Sequence, residues 1–291
     1  MKRNLHLLII DPQNDFCDLP AGYLPDAAAA GFPPGVRAAP ALPVPGAHAD
    51  MLRVANLIER GRAGLSAISI TLDSHHRFDV AHAGFWMDAE QRAVSPFTQI
   101  TAADVRAGRY LPRKAEALPR VQAYLAALEA AGRYTLMAWP THCEIGSWGH
   151  NVHSDVRAAY NRWEDSALAI VNKVSKGSNP WTEHYSAIQA EVPDEEDDST
   201  QLNRPFIDLL AQADQVYITG EAGSHCVKAT TEHIVQHWDP RQLARLVLLT
   251  DCMSPVSGFE AQYRDFVGSM RARGVQTANA ADVLPDLIAN A

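Results

Sequence analysis

The chain has no run of lysine and arginine and no basic stripe, and its formal net charge is −9. That excludes nucleic acid or an anionic membrane as a partner held by charge. No apolar stretch is long enough to span a bilayer. Cysteine is scarce: Cys17, Cys143, Cys226 and Cys252 are the four in 291 residues, with no C-x-x-C and no zinc-ribbon spacing. Such a set reads as the reduced thiols of a cytoplasmic protein, one or two of which do chemistry, and not as a disulfide scaffold. The N-terminal "MKRNLHLLIIDPQND" is basic and then apolar, but the run is short, holds His6 and lacks a small-x-small cleavage site. It is expected to be a buried first strand, not a signal peptide. Internal repeats are absent, and so is a linker that would divide the chain. One domain over 1–291 is therefore expected, with a hydrophobic fraction of 47% to fill its core.

What is present is a series of short apolar runs, each ending in a polar or turn cluster. They are "LHLLII", "LSAISITL", "YTLMAW", "LAIVNKV", "QVYIT" and "RLVLLT". They lack polar alternation, as strands buried on both faces should. Helical spacing lies between several of them. "ADMLRVANLIERG" puts Met51, Val54, Leu57 and Ile58 on one face, and "LPRVQAYLAALEAAG" does so with Val121, Leu125 and Leu128, opening near Pro119 and closing at Gly132. "PFIDLLAQA" and "GFEAQYRDFVGSMRARG" follow suit. Strands alternating with helices predict an α/β fold: a doubly wound, mainly parallel β-sheet with helices on both faces. Three segments break the pattern and are expected as insertions, at about 17–42, 85–117 and 190–202. The first is rich in Ala, Pro and Gly, and the third is the acidic "EVPDEEDDST", expected to be a solvated loop. The second has weak periodicity and reads as an irregular segment that covers a pocket mouth or meets a second subunit.

Ligands of a doubly wound sheet bind outside the carboxyl ends of its strands. The residues there are Asp11, Asp73, the Trp139–His142 cluster, Lys173 or Lys176, and the turn Gly220–Cys226. Cys226 follows a strand and a glycine turn and opens a helix with Val227, Thr231, Ile234 and Trp238 as its apolar stripe. A thiol at a helix N-terminus is expected to have a lowered pKa, and the free N–H groups there suit an oxyanion. A small buried core cysteine is the alternative. Asp11 would serve such a nucleophile as base, and a lysine would stabilise the pair. Asp73 and His75 form a D-x-H that, with His142, makes a reasonable divalent-metal set, with His82 as a fourth candidate. His233 and His237 fall on a presumed surface helix and receive no role.

These residues resemble the nicotinamidases of the isochorismatase-like cysteine hydrolase superfamily. "IIDPQNDFC" is similar to the family's D-x-Q-N-D-F opening, and "LPVPGA" to the segment after it. "DSHH…HAGF" resembles its metal-binding stretch, with a small insertion and Gly84 in place of Ser. "WPTHCEIGSWGHNVH", "KGSNPWTEHYSAI", "GEAGSHCVKAT" and "TDCMSP" match further motifs in family order over most of the chain. The departures are the two long insertions and the acidic run.

The resemblance implies the isochorismatase-like hydrolase fold with long loop insertions. It implies a triad of Asp11 as base and acid, Lys176 as stabilising cation and Cys226 as nucleophile. Lys176 is preferred to Lys173 because it precedes Gly177. It implies a cis peptide at Glu221-Ala222, an oxyanion hole from the Ala222 and Cys226 amides, and ring contacts from Phe16, Trp139 and Tyr185. One divalent metal, Zn²⁺ before Fe²⁺ or Mn²⁺, is expected on Asp73, His75 and His142, holding a pyridine nitrogen. So of the two His-Cys pairs, His225-Cys226 works through its cysteine and His142-Cys143 through its histidine. The activity implied is hydrolysis of nicotinamide or a related small aromatic carboxamide to carboxylate and ammonia through a thioester. The rivals are a superfamily amidohydrolase of carbamoyl or ureido substrates, a non-catalytic metal-binding homologue and a papain-like protease. The partner expected is the small carboxamide, and a homo-oligomer stays open.

Overall fold

The computed structural model describes residues 2–26 and 38–291. The chain opens with β1 (Leu5–Ile10), helix α1 (Ala47–Gly61) and β2 (Ala67–Asp73). Then come β3 (Trp86–Asp88), β4 (Thr98–Ile100), α2 (Ala102–Arg106), β5 (Tyr110–Pro112), α3 (Leu118–Ala131) and β6 (Leu136–Ala138). The second half is α4 (Ser154–Ala167), β7 (Asn172–Lys176), α5 (Arg204–Ala211), β8 (Gln215–Gly220), α6 (Cys226–His237), β9 (Leu246–Leu249), α7 (Glu260–Ala272), β10 (Gln276–Ala278) and α8 (Ala280–Ala289).

Six strands form the central sheet in the order β10-β9-β8-β1-β2-β7, all parallel. All six residues of β1 are buried, which is why "LHLLII" carries no polar alternation. Helices flank the sheet: α1 packs against α4 and α8, and α6 against β8 and α7. The chain starts in the middle, walks outward through β2 and β7, then crosses back to β8 and walks out the other way. The reversal lies between β1 and β8, where a doubly wound sheet opens its crevice. Two glycines make this edge sterically feasible. A Cβ on Gly220 would come within 1.9 Å of the Ile10 carbonyl oxygen, and Gly177 has a φ of +86° beside the Asp73 carboxylate.

The segment expected to be irregular is folded. β3 pairs antiparallel with β5, and β4 with β6. Thr101 and Asp104 close a capping box on α2. Phe85, Trp86, Ile100 and Val105 pack on Val121 and Leu125 of α3 as a second core. This corrects "YTLMAW" too, since its strand β6 lies outside the six-stranded sheet. Leu136 and Ala138 face the second core while Met137 and Trp139 face the main one. The run is apolar throughout because it separates two cores.

Other expectations change as well. In the acidic run, Glu191 and Thr200 are buried, and Asp194 accepts from Asn179 and Arg120, so the segment is a tied-down turn. His233 is buried, with Nδ1 2.9 Å from Ser186 Oγ, so α6 is no surface helix on that side. Of the loop expected at 17–42, residues 27–37 lie outside those described. Helices α4 and α8 and strand β10 complete the fold without a sequence expectation. Pro285 sits inside α8, where a proline argues against a helix, yet Leu284 and Leu287 are buried beside it. No helix among the described residues is long and apolar enough to cross a membrane.

Candidate active site

Strand register brings the polar residues together. Asp73 and Lys176 are direct partners at the ends of β2 and β7, and Ile10 and Gly220 are partners one residue before Asp11 and Glu221. Asp11, Asp73, Lys176 and Cys226 thus meet at the carboxyl ends of four adjacent strands. Lys173, three residues earlier, lies over the Tyr160 ring at 4.9 Å.

Lys176 is the hub. Its Nζ lies 3.0 Å from Asp11 Oδ2, 2.9 Å from Asp73 Oδ1 and 3.6 Å from Cys226 Sγ, and it donates to the His184 carbonyl at 3.0 Å. Asp11 is held from behind: its N–H donates to Thr71 Oγ1 at 3.0 Å, and that hydroxyl donates to Asp11 Oδ1. The Asp11 φ of 45° is in the left-handed region, uncommon for a residue other than glycine. Thr71 has no motif to announce it; it shares a face with Asp73 two residues on.

Burial pushes the Asp11 carboxyl up, Lys176 pulls it back, and Asp73 adds to the rise; the net direction is upward. Burial also pushes the Cys226 thiol well up, opposed by Lys176 and reinforced by Asp11 and Asp73. This corrects the expected lowering by the helix N-terminus: complete enclosure and two neighbouring carboxyls outweigh it. Burial works against charge on Lys176, but Asp11 and Asp73 overcome it and hold the ammonium. A thiol whose pKa burial raises thus stands beside a lysine ammonium and a carboxyl whose pKa is also raised.

The Glu221-Ala222 peptide is cis. The His225 and Val227 amides donate to the Ala222 carbonyl at 3.0 and 3.2 Å. Cys226 N–H opens α6, where the first amides of a helix have no partner within it. Phe16, Trp139 and Tyr185 line the cavity at the thiol, with Trp139 Nε1 donating to Tyr185 Oη at 3.0 Å. Glu183 lines it too, a buried carboxyl whose Oε2 has no hydrogen-bond partner among the described residues, and nothing in the sequence analysis pointed to it. Its only signal was a place in the lysine segment.

Asp73 joins this cluster to a second one. Its Oδ2 lies 3.1 Å from His75 Nε2 and 3.3 Å from His142 Nε2. One nitrogen from each of His75, His82 and His142 falls within 4.8 Å of the others, and all three are buried. His75 Nδ1 is 3.0 Å from Asp79 Oδ2, and His142 Nδ1 is 2.9 Å from the Pro140 carbonyl. Those contacts orient both rings with Nε2 toward Asp73 Oδ2, where a metal would take the two nitrogens and the carboxylate together. His82 Nδ1 is buried without a partner, an orphan that a metal bond would satisfy. The donor set of imidazoles and a carboxylate fits a Zn²⁺-, Fe²⁺- or Mn²⁺-type ion. Asp79 was not anticipated, although it stands four residues beyond His75. Cys143 is buried, and its amide donates to Asp15 Oδ2 at 2.7 Å; burial and nearby carboxylates push its thiol up.

No protein-family model matches the sequence, and no curated protein does. Solved structures do match. The yeast nicotinamidase bound to the inhibitor nicotinaldehyde is 18% identical with a TM-score of 0.58, over 94% of this chain and 99% of that one. The Acinetobacter baumanii nicotinamidase/pyrazinamidase is 18% identical with a TM-score of 0.56, over 97% and 98% of the two chains. The L. infantum protein PnC1 in complex with nicotinate is 18% identical with a TM-score of 0.54, over 96% and 94%. The chain has the fold of these proteins.

Proposed function

We propose that the chain is a metal-assisted, nicotinamidase-like cysteine amidohydrolase that takes nicotinamide or a related small aromatic carboxamide to the carboxylate and ammonia. The observation that carries this reading is buried Lys176 Nζ standing 3.0 Å from Asp11 and 3.6 Å from the Cys226 thiol. The likeness in fold to solved nicotinamidases supports it.

Asp11 takes the thiol proton as Sγ attacks the carboxamide carbon. The Ala222 and Cys226 amides receive the developing oxyanion. Asp11 returns the proton to the leaving nitrogen, which departs as ammonia and leaves a thioester. Asp11 then draws a proton from water, which attacks the thioester and frees the acid and the thiol. A carboxyl whose pKa is raised serves both directions better than an ordinary aspartate. Lys176 stays charged and holds Asp11 and Asp73 in place. Phe16, Trp139 and Tyr185 orient the ring. Asp73, His75 and His142, with His82 beside them, would hold one divalent ion, whose Lewis acidity suits a pyridine nitrogen.

Ammonia release from a panel of pyridine, pyrazine, carbamoyl and ureido amides tests the reading. The expected result is turnover of the ring carboxamides, loss in chelator and one divalent ion per chain by elemental analysis. The Asp73→Ala, His142→Ala double variant should lose that ion. Turnover confined to ureido or carbamoyl compounds, or full activity in metal-free protein, overturns it.

A further inference from the structure

The cavity at Cys226 measures about 20 Å³, room for roughly one water. Small-molecule pockets usually run to roughly 300–1,000 Å³. Directly beside it is a chamber of about 230 Å³, and two residues, Tyr185 and His225, line both. His225 is one of these two shared walls. Its Nδ1 is 2.9 Å from Ser224 Oγ, and its ring meets Trp139 at 5.2 Å and Phe259 at 4.6 Å, edge-on in each case. The inner cavity as it stands is too small for a ring carboxamide, and Tyr185 and His225 are the walls it has in common with the outer chamber.

The outer chamber has a definite chemistry. Lys228 and Arg133 supply positive charge, Gln99 and Gln262 supply amides, and among the described residues no carboxylate lines it. The cations are already paired with acids, and both contact one oxygen, Glu232 Oε2. Glu232 lies 3.1 Å from Lys228 and 3.2 Å from Arg133, and Glu191 lies 3.2 Å from Arg133. Both cations also sit over the Tyr134 ring, Lys228 Nζ at 4.7 Å and Arg133 Cζ at 5.6 Å from its centroid. The two side chains are only 18% and 26% exposed, so a ligand anion meets them partly out of water, where a charge contact is worth more than on an open surface. Gln99 comes from β4, so the inserted segment builds part of the wall.

We propose that the outer chamber is a second substrate subsite, and that the preferred substrate is a ring carboxamide with an anionic tail. Its carboxamide sits at Cys226, and its tail passes His225 to end as a carboxylate on the chamber side of the Lys228–Glu232–Arg133 cluster. The proposal deepens the amidohydrolase reading and rests on it for the carboxamide end alone; the tail site stands on the chamber itself.

The test uses a pyridine carboxamide with a carboxylate on a short aliphatic arm and its methyl ester, with the arm placed at each open ring position in turn. The two differ in charge and hardly in reach. In the wild-type protein the acid should exceed the ester in kcat/KM by about tenfold at one position or more. In Lys228→Gln that ratio should fall toward one, and in Lys228→Glu below one. The same ligands are titrated calorimetrically into Cys226→Ser protein, so the subsite is read even without turnover. An acid-over-ester preference in Kd that Lys228→Gln removes sustains the subsite, even if no carboxamide is hydrolysed and the amidohydrolase reading falls. Hydrolysis of plain nicotinamide with an acid-to-ester ratio near one, or a ratio unmoved by either Lys228 substitution, overturns the subsite and leaves that reading standing.

Discussion

The carboxyl edge of the central sheet and the inserted segment from Phe85 to Ala117 hold their residues by different means. At the sheet edge, four parallel strands in fixed register place Asp11, Asp73, Lys176 and the β8 turn within contact of one another. No side chain has to search for its neighbour. The insertion has strands of only three residues and is held by a core of its own with α3. Its contribution to the site is peripheral: Phe97 meets Trp139 edge-on at 5.8 Å, and Gln99 reaches the outer chamber. One region is organised for chemistry by ladder geometry. The other is a buttress packed on a core of its own. If the contrast is correct, substitutions at the edge should remove turnover and leave stability, while substitutions inside the insertion should do the reverse.

The largest effect is expected for Cys226→Ala, a loss of at least about 10⁴-fold in ammonia release with the melting curve retained. Cys143→Ala should keep turnover and cost about 1 kcal/mol of stability, since it removes a buried thiol. A dead Cys143 variant beside an active Cys226 variant would show that the two His-Cys pairs have been assigned backwards.

Trp86→Ala is the mirror experiment. Trp86 is fully buried and its Nε1 donates to the Val80 carbonyl at 2.9 Å. Truncation should cost about 3–5 kcal/mol in chemical denaturation, with far less change in kcat than any triad substitution. Excising the whole segment would be a poorer test, because it strips the covering from Val121 and Leu125. If Trp86→Ala abolished turnover at full stability, the insertion would belong to the chemistry.

Phe97→Ala probes the seam. Phe97 is 53% exposed and meets the Trp139 ring edge-on at 5.8 Å. Loss of one aromatic contact of roughly 0.5–1.5 kcal/mol should raise KM several-fold and leave kcat near its starting value. A fall in kcat with KM unchanged would contradict a role in shaping access.

The smallest effect concerns Glu191, which is tied to Arg133 just after α3. Burial raises its carboxyl from 4.5 to about 7, against the pull of Arg133. The folded state therefore keeps a proton that the unfolded chain has already lost. Its stabilising share is complete below about pH 4.5 and is lost as pH rises through about 7. Glu191→Gln mimics the neutral form, so its Tm relative to wild type should rise by about 2–4 °C between pH 5 and pH 8. An equal Tm difference at both pH values would refute the raised pKa.

Much of the sheet edge was legible before any coordinates. "LHLLII" and "QVYIT" end at Asp11 and Gly220 because a buried parallel strand must stop where polar residues begin, and the crossover rule puts those ends on one side. The partner of "YTLMAW" was not legible, because an apolar run records burial on two faces and not what covers them. Helix α4 had its signal in Val156, Ala159, Tyr160 and Trp163, whereas α8 was hidden by Pro285. Asp79, Thr71 and Glu183 escaped notice because each acts through a neighbour that only folding supplies.

By itself, the sequence determined the alternation of strands and helices, and with it which polar residues stand at the strand ends. Those are local consequences of side-chain period and chain connection. The tertiary structure alone decided that a second core lies behind Trp139, that enclosure raises the Cys226 thiol against its helix terminus, and that Lys228 and Arg133 share a chamber beside it. Desolvation and cavity shape are sums over every group packed around a point, and most of those groups lie far away in the chain.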